Sequence, residues 1–246
     1  MKTTIILALI GLLVMPIQKQ PLVIGHRGAM GYETENSLPS IQKALDLHVD
    51  AIEIDVFVIK SGELMVFHDD DLERMTGVKG NIEGFTYEEL QKLKLTGGYK
   101  IPTLQEVMDL IDAKCRFNIE LKGANTAGPS YKVVQEYIAT KGWTKEHIIF
   151  SSFRWEELEK MYALDTTMPL AVLVDGDPLK AMDMAVKVKA EAINPQYSKL
   201  TEANVARIHS AGFKIYTWTV NNDEDISYMK TLGVEGIITN YPDREE

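Results

Sequence analysis

Residues 53–70, EIDVFVIKSGELMVFHDD, contain two apolar runs with the composition of β-strands, separated only by the tripeptide KSG. Parallel neighbours need a crossover of about a dozen residues or more, so these two runs are predicted to pair antiparallel. With a turn centred on Ser61 and Gly62, Asp55 falls opposite His68 or close to it. The second run therefore returns along the first and carries His68 back toward it.

Apolar runs typical of strands alternate with helical patterns along the rest of the chain. Apart from the returning run ELMVFH, they are LVIGH, AIEIDVFVI, RFNIELK, HIIFSSF, LAVLVD, EAINP, KIYTWTV and VEGIIT. Such alternation is typical of a parallel sheet with helices on its outer face. The sequence therefore predicts an α/β fold, a (β/α)8 TIM barrel with a hairpin extension after strand 2.

Capping signals predict helices between these strands. Thr86 with Glu89 and Thr103 with Glu106 have the spacing of capping boxes, in which a hydroxyl and a carboxylate bind the free N–H groups of a first helical turn. The two helices would fill the connection between the hairpin and the third barrel strand. Gly233 follows a helical pattern in the position of a C-terminal cap.

The composition is that of a globular protein, with 246 residues of which 45% are hydrophobic and 25% are charged. No low-complexity linker interrupts the pattern, so residues 21–246 are interpreted as one domain. A net charge of −10 without a basic stripe argues against binding of nucleic acid. Cys115 is the only cysteine, which excludes an intramolecular disulfide and a thiolate cluster for zinc.

Residues 1–20 are predicted to be a signal or anchor segment. Lys2 precedes an apolar run over residues 5–15, which has the arrangement of an export signal and is short for a transmembrane helix. A buried first helix of the domain is the alternative, but such a helix should show a polar face. We therefore expect an exported protein, periplasmic, secreted or membrane-anchored, that contacts a membrane only through this segment.

Acidic side chains are predicted to converge inside the barrel. Residues two apart in a strand share a face, so Glu53 and Asp55 point the same way, as do Asn118, Glu120 and Lys122 on the next barrel strand. Unpaired buried carboxylates are costly. Lys122 alone could compensate them, but a divalent cation is the favoured interpretation, and an oxygen-only site suits Mg²⁺ or Ca²⁺ better than zinc.

Basic and aromatic residues are predicted at the same end of the barrel. The motif GHRG ends the first strand and places His26 and Arg27 at the carboxyl-terminal mouth, where barrel enzymes keep their chemistry. The guanidinium of Arg27 and the ammonium of Lys122 both suit a phosphate. Trp218, near the end of the seventh barrel strand, could either pack in the barrel or line a substrate pocket.

The first strand-to-helix loop, ETENSL, adds Glu35 and Asn36 at this mouth. Asn36 or Ser37 could instead cap the following helix. The remaining histidines fall in helices or at a strand start, away from the predicted mouth, and are interpreted as surface or capping residues: His48, His147 and His209.

A set of motifs occurs in a fixed order along the chain: HRG followed by ENS, then EIDV, VFHD, NIELK, WTVNN and GIITNYPD. In this order the motifs resemble those of the glycerophosphodiester phosphodiesterase family over essentially all of residues 21–246. One departure is Thr34, where the family usually has proline, which affects the stiffness of the loop rather than a ligand. The resemblance implies a metal-dependent enzyme that hydrolyses a small-molecule glycerophosphodiester to glycerol 3-phosphate and an alcohol.

The resemblance also implies a role for each candidate residue. The ligands of the divalent metal, Mg²⁺ or Ca²⁺, would be Glu53, Asp55 and Glu120. The acid/base pair would be His26 and His68. Contacts to the substrate would come from Arg27 and Lys122 at the phosphate and from Trp218 beside the glycerol.

Two other functions remain compatible with the sequence. One is a related barrel phospholipase D or lyase acting on lysophospholipids or sphingolipids, which would need an apolar surface facing the membrane at the mouth. The other is a catalytically silent phosphate- or sugar-binding barrel. It is disfavoured because a binding protein has no need of both His26 and His68.

Overall fold

The computed structural model describes residues 20–245, which contain one nine-stranded sheet. Its strands are β1 (Leu22–Gly25), β2 (Ala51–Val58), β3 (Leu64–Val66), β4 (Arg116–Leu121), β5 (Ile148–Ser152), β6 (Leu170–Val174), β7 (Ala192–Pro195), β8 (Lys214–Thr217) and β9 (Gly236–Thr239). All except β3 run parallel to their neighbours, and β1 pairs with both β2 and β9, which closes the sheet. The predicted (β/α)8 barrel is confirmed.

Helices connect the strands. The α-helices are α1 (Leu38–Asp46), α2 (Glu73–Thr76), α3 (Tyr87–Leu90), α4 (Leu104–Ile111), α5 (Ala127–Thr140), α6 (Trp155–Leu164), α7 (Met182–Lys187), α8 (Glu202–Ser210) and α9 (Asp223–Leu232). Short 3₁₀ helices cover Ile82–Gly84, Lys145–His147, Pro178–Ala181, Tyr197–Lys199 and Pro242–Glu245. The α-helices α2, α3 and α4 all lie in the long connection between β3 and β4.

The predicted helix ends are present. Capping boxes begin α3 at Thr86 and α4 at Thr103, each with the glutamate three residues later bonded back to the cap N–H. Gly233 ends α9 with a φ of 78°, a left-handed conformation that few other residues adopt readily. His147 accepts a hydrogen bond from the N–H of Thr144 at 3.1 Å, which agrees with a capping role.

The strand β3 forms an antiparallel hairpin with β2, as predicted. The N–H of Phe67 donates to the carbonyl of Asp55 at 3.0 Å, so the residue opposite Asp55 is Phe67 and His68 follows it. Gly62 in the turn has a φ of 103°, a backbone conformation that glycine adopts without strain. The hairpin therefore brings the chain back alongside β2 at Phe67, and His68 comes directly after it.

Residues 59–101, here called the arm, extend from the end of β2 toward α4 and contain the hairpin turn, β3, α2 and α3. The arm and the last part of β2 bury an apolar cluster of their own: Phe57, Ile59, Met65, Phe67, Leu72, Met75, Ile82, Leu90, Leu95 and Ile101. This cluster is separate from the main core of the barrel. A packed cluster holds the arm in place, so side chains that the arm carries can occupy defined positions beside the barrel.

Alternation along the strands separates two environments. On β2, Ile52 and Ile54 belong to the core between sheet and helices, whereas Glu53 and Asp55 face the barrel interior. Deeper in that interior lies a small apolar cluster: Ile24, Ala51, Ile149, Ala171, Ala192, Tyr216 and Ile238. The interior is thus apolar at depth and becomes acidic toward the carboxyl ends of the strands.

The predicted signal or anchor segment, residues 1–20, falls almost wholly outside the described residues, so export stays a prediction. Within residues 20–245, no helix combines the length and the apolar character needed to cross a membrane.

Candidate active site

Three carboxylates meet at the carboxyl ends of β2 and β4. The two strands pair in parallel with Glu53 opposite Asn118 and Asp55 opposite Glu120. Glu53, Asp55 and Glu120 are all buried, and each offers an oxygen within 4.8 Å of the other two. The structure therefore brings together the three carboxylates whose convergence the strand alternation predicts.

Crowding changes the protonation of these carboxylates. Burial, with the charges of Asp55 and Glu120, raises the pKa of Glu53 well above its ordinary value. Burial and the charge of Asp55 raise the pKa of Glu120 to about 7. Burial also acts to raise the pKa of Asp55, but Arg27 and Lys122 outweigh it and lower that pKa. Asp55 is thus ionised at neutral pH, while Glu120 is only partly ionised there, and a cation bound to the cluster would displace its remaining proton.

The set of donor atoms fits a divalent cation. Glu120 Oε1 lies 3.0 Å from Lys122 Nζ but outside hydrogen-bonding geometry, and the buried Asn118 Oδ1 has no hydrogen-bond partner within the described residues. Carboxylate oxygens favour hard cations such as Mg²⁺ and Ca²⁺. Glu53, Asp55 and Glu120 could hold such an ion, which would compensate their burial.

Without a divalent cation, we expect the Glu120 carboxyl to reduce the stability of the folded chain as the pH rises from 4.5 to about 7, whereas His26, with a folded pKa of about 4, acts in the opposite direction. The Glu120 carboxyl has its ordinary pKa of 4.5 when unfolded and about 7 when folded, so the folded state binds more protons in this window. Since one pH unit corresponds to about 1.4 kcal/mol, the loss is on the order of 3 kcal/mol.

Guanidinium unfolding in chelator at about pH 5 and about pH 8, compared between the wild-type chain and Glu120→Gln, measures this loss, because the histidine contributions are common to both chains. Saturating Mg²⁺ at the higher pH should restore stability, because a ligand that binds only the folded state stabilises it. Glu120→Gln, which has no proton to release, should lose much less stability between the two pH values. An equal loss in this variant would show that other groups cause the effect.

His26 follows β1 and lies between Asn240 and the carboxylates. Its Nδ1 is 2.7 Å from Asn240 Oδ1, which accepts, so Nδ1 carries the proton. Its Nε2 lies 3.9 Å from Glu53 Oε2 and keeps its lone pair. Burial and the charge of Arg27 lower the pKa of His26 to about 4. The ring is therefore neutral at neutral pH and able to accept a proton.

His68 reaches the same cluster from the arm. Its Nδ1 is 2.7 Å from Asp69 Oδ1, and its Nε2 is 3.0 Å from Lys122 Nζ. Because an ionised carboxylate only accepts hydrogen bonds and an ammonium only donates them, the ring proton is on Nδ1. Burial lowers the pKa of His68, although the charge of Asp55 and the hydrogen bond to Asp69 oppose it. Like His26, this ring turns an unprotonated Nε2 toward the site.

Two cations lie beside the acidic cluster. Arg27 Nε is 3.4 Å from Asp55 Oδ2, and its Nη1 donates to Glu35 at 2.8 Å. Lys122 Nζ is 3.6 Å from Asp55 Oδ1 and 3.0 Å from Glu120 Oε1. Burial acts to lower the pKa of both cations, but these carboxylates raise it above the ordinary value. Both therefore stay charged, and together they suit an anion such as a phosphate.

A pocket at the carboxyl end of the barrel contains these groups. It is lined by seven of the eight predicted site residues: His26, Arg27, Glu53, His68, Glu120, Lys122 and Trp218. The eighth, Asp55, is almost fully buried next to them. Trp218 donates its indole N–H to the carbonyl of Asn194 at 2.7 Å and packs edge-on against Phe153. Trp218 thus both packs in the barrel and lines the pocket.

A family model described as the glycerophosphoryl diester phosphodiesterase family matches residues 26–244. This span includes the arm and every residue that lines the pocket. The chain belongs to this family.

Comparisons with relatives and with a solved structure support membership of the glycerophosphoryl diester phosphodiesterase family. A glycerophosphodiester phosphodiesterase of Bacillus altitudinis is 33% identical over 234 residues, covering 90% of this chain and 95% of the relative. One from Caldanaerobacter subterraneus subsp. tengcongensis is 32% identical over 235 residues, with the same coverage. An Oleispira antarctica phosphodiesterase, solved in complex with the product sn-glycerol-3-phosphate, matches with a TM-score of 0.84 and 26% identity over 92% of this chain and 95% of its own.

In this member of the family, the first strand-to-helix loop divides its polar residues between two roles. Ser37 caps α1 by accepting the N–H of Ser40 at 3.3 Å. Asn36 instead donates to Asp55 Oδ2 at 2.9 Å and so belongs to the site. Glu35 also belongs to the site, through its bond with Arg27.

The residues that contact site groups but are absent from the sequence predictions include Asn240 and Arg74. Asn240 follows β9 as His26 follows β1, and the two strands are neighbours. A polar residue directly after a barrel strand is a signal that could have identified it. Arg74 lies in the arm, where no strand alternation applies, and no comparable signal indicates it.

Proposed function

We propose that the chain hydrolyses glycerophosphodiesters to glycerol 3-phosphate and an alcohol. The observation that carries the proposal is one pocket in which two neutral histidines and two cations surround a buried carboxylate cluster. Proton transfer and stabilisation of developing negative charge are the two requirements of phosphodiester hydrolysis. The names of the bacterial relatives and the product bound to the Oleispira antarctica protein support the same chemistry.

We assign the divalent cation, Mg²⁺ or Ca²⁺, to Glu53, Asp55 and Glu120. When bound, it would supply positive charge that stabilises a phosphate oxygen in the transition state. Arg27 would bind the phosphate through its planar fork and Lys122 as a point charge. Trp218 lines the same pocket and offers an apolar face to the glycerol carbons.

The surroundings of the two histidines suggest their order of action. His26 is the better first base, because its pKa of about 4 keeps Nε2 unprotonated at neutral pH. His68 is the better first acid, because Asp69 at Nδ1 stabilises its charged form. An anionic phosphate in the pocket would add to that stabilisation and so favour protonation of His68.

The reaction then needs two steps. In the first step, the glycerol hydroxyl next to the phosphorylated carbon attacks phosphorus. Because both groups belong to one molecule, the effective molarity of this hydroxyl is high. His26 Nε2 takes the hydroxyl proton, the bond from phosphorus to the alcohol oxygen breaks, and His68 gives its proton to that oxygen. In the second, His68 takes a proton from water, the water oxygen bonds to phosphorus, and His26 returns its proton to the departing glycerol oxygen. Both rings thus recover their starting protonation.

Phosphorus NMR of the purified chain with several glycerophosphodiesters and Mg²⁺ or Ca²⁺ tests the proposal. We expect glycerol 3-phosphate as the final species, with at most a transient cyclic phosphate, and no turnover in excess chelator. Stable accumulation of the cyclic phosphate would make the chain a lyase. Absence of turnover with every glycerophosphodiester and either metal would contradict the proposal.

A further inference from the structure

Arg74 lies on α2 of the arm and does not line the pocket. Its side chain is 49% exposed, yet its guanidinium binds two carboxylates. Nη1 and Nη2 donate to the two oxygens of Glu35 at 2.8 and 2.7 Å, and Nε donates to Asp69 Oδ2 at 2.5 Å. A bidentate contact fixes both the distance and the plane of a carboxylate, so Arg74 constrains Glu35 and Asp69 at once.

Each of these carboxylates uses its remaining capacity to hold a pocket residue. Glu35 Oε1 accepts from Arg27 Nη1 at 2.8 Å. Asp69 Oδ1 lies 2.7 Å from His68 Nδ1. One guanidinium at the rim is therefore linked, through one carboxylate on each side, to the phosphate-binding cation and to the acid/base histidine.

We propose that Arg74 is a positioning residue that orients His68 and Arg27 through Asp69 and Glu35. The inference rests on the roles given to His68 and Arg27 under the proposed function. Leu72 and Met75 anchor α2 in the apolar cluster of the arm, and neither is in the guanidinium network. We therefore expect the arm to fold without Arg74, whose hydrogen bonds run to Glu35 and Asp69 rather than to the apolar cluster.

The network has an electrostatic consequence at His68. Burial acts to raise the pKa of Asp69, but hydrogen bonds from Arg74 and His68 lower it to about 2. With Arg74 in place, the charge of Asp69 is largely balanced. Without Arg74, that charge would act on His68 alone and raise the pKa of the ring. The other charged groups that face His68 come from the barrel: Arg27, Asp55 and Lys122.

Arg74→Gln tests the proposal, with Lys79→Gln as a matched control. Lys79 lies three residues after α2 and forms an ion pair with Glu73 at 3.6 Å, but its side chain is 80% exposed and it does not contact the network. NMR titration of labelled histidine rings should show a raised pKa of His68 in Arg74→Gln and an unchanged pKa of His68 in the control. Turnover should fall roughly 10- to 100-fold, the usual effect of losing a group that orients a site residue.

A double-mutant cycle separates positioning from packing. In a Glu35→Gln, Asp69→Asn background, the carboxylates that Arg74 orients are already lost, so adding Arg74→Gln should reduce turnover by less than about threefold. Arg74→Lys, which keeps the charge but cannot bind bidentately, should recover only part of the activity. Thermal melts of every variant verify that each is folded.

Two results would overturn the inference. One is an unchanged His68 titration in Arg74→Gln, whatever the turnover of that variant. The other is the same loss of turnover in both backgrounds, which would indicate a role that does not pass through Glu35 and Asp69. The NMR titration needs no turnover, so it still decides the inference if the wild-type chain proves inactive on glycerophosphodiesters and the proposed function fails.

Discussion

Replacement of His26 by glutamine is expected to reduce turnover of glycerophosphodiesters by roughly 10²- to 10⁴-fold, the usual contribution of one general acid/base group. Glutamine has a similar size and can still bind Asn240, but it cannot take up a proton. The imidazole Nε2 of His26, 3.9 Å from Glu53 and neutral because burial keeps its pKa at about 4, provides that capacity. Initial rates at saturating substrate and Mg²⁺ measure the effect.

His209→Gln is the matched control for this variant. His209 is partly exposed on α8 and pairs with Glu235 at 3.2 Å, at residues that do not line the pocket. Its replacement should leave turnover within about twofold of wild type, as is usual for surface substitutions. Thermal melts should show both variants folded. Wild-type turnover in His26→Gln would remove His26 from the mechanism.

Much of the fold can be predicted from short-range patterns in the sequence. The tripeptide KSG between two strand-like runs permits only antiparallel pairing, and the structure contains that hairpin. Alternation on β2 and β4 places Glu53, Asp55 and Glu120 on the interior face, because side chains in a strand alternate with a period of two. These inferences need no knowledge of how distant segments pack.

The parts of the site that escaped prediction depend on contacts between distant segments. Arg74 binds Glu35, 39 positions away, and Asn240 binds His26, 214 positions away. Neither contact produces a periodic pattern, since the arm is irregular and Asn240 lies beyond the last strand. The hairpin register also differs slightly from a direct pairing of Asp55 with His68, because turn geometry sets the register and sequence specifies the turn only to within a residue.

Glu120→Gln is expected to reduce turnover by roughly 10³-fold or more. A metal at a reacting phosphate stabilises the transition state by several kcal/mol. A change of about 1.4 kcal/mol corresponds to a factor of ten in rate. The substitution removes one of the three carboxylates that could hold the cation and keeps the size of the side chain. Turnover measured across a titration of Mg²⁺ should show a much weaker apparent affinity for the metal.

Glu157→Gln is the control for loss of a buried carboxylate. Glu157 is fully buried, but it accepts hydrogen bonds from the backbone N–H groups of Asn125 and Ala127, outside the pocket. Its replacement should lower the thermal stability, because an amide has one accepting oxygen where the carboxylate has two, so one of the two backbone N–H groups loses its acceptor. Its dependence on Mg²⁺ should match that of the wild-type chain.

The two glutamate variants are expected to respond in opposite ways, and the reason is the state of each carboxyl. The Glu120 carboxyl, with a pKa of about 7 when folded and 4.5 when unfolded, reduces the stability of the metal-free chain at neutral pH, so a neutral amide there should raise that stability. The stabilisation that Mg²⁺ gives should disappear in Glu120→Gln and persist in Glu157→Gln. Thermal melts with and without Mg²⁺ measure both. Full activity of Glu120→Gln in excess chelator would remove the carboxylate cluster from the mechanism and leave its burial without a function.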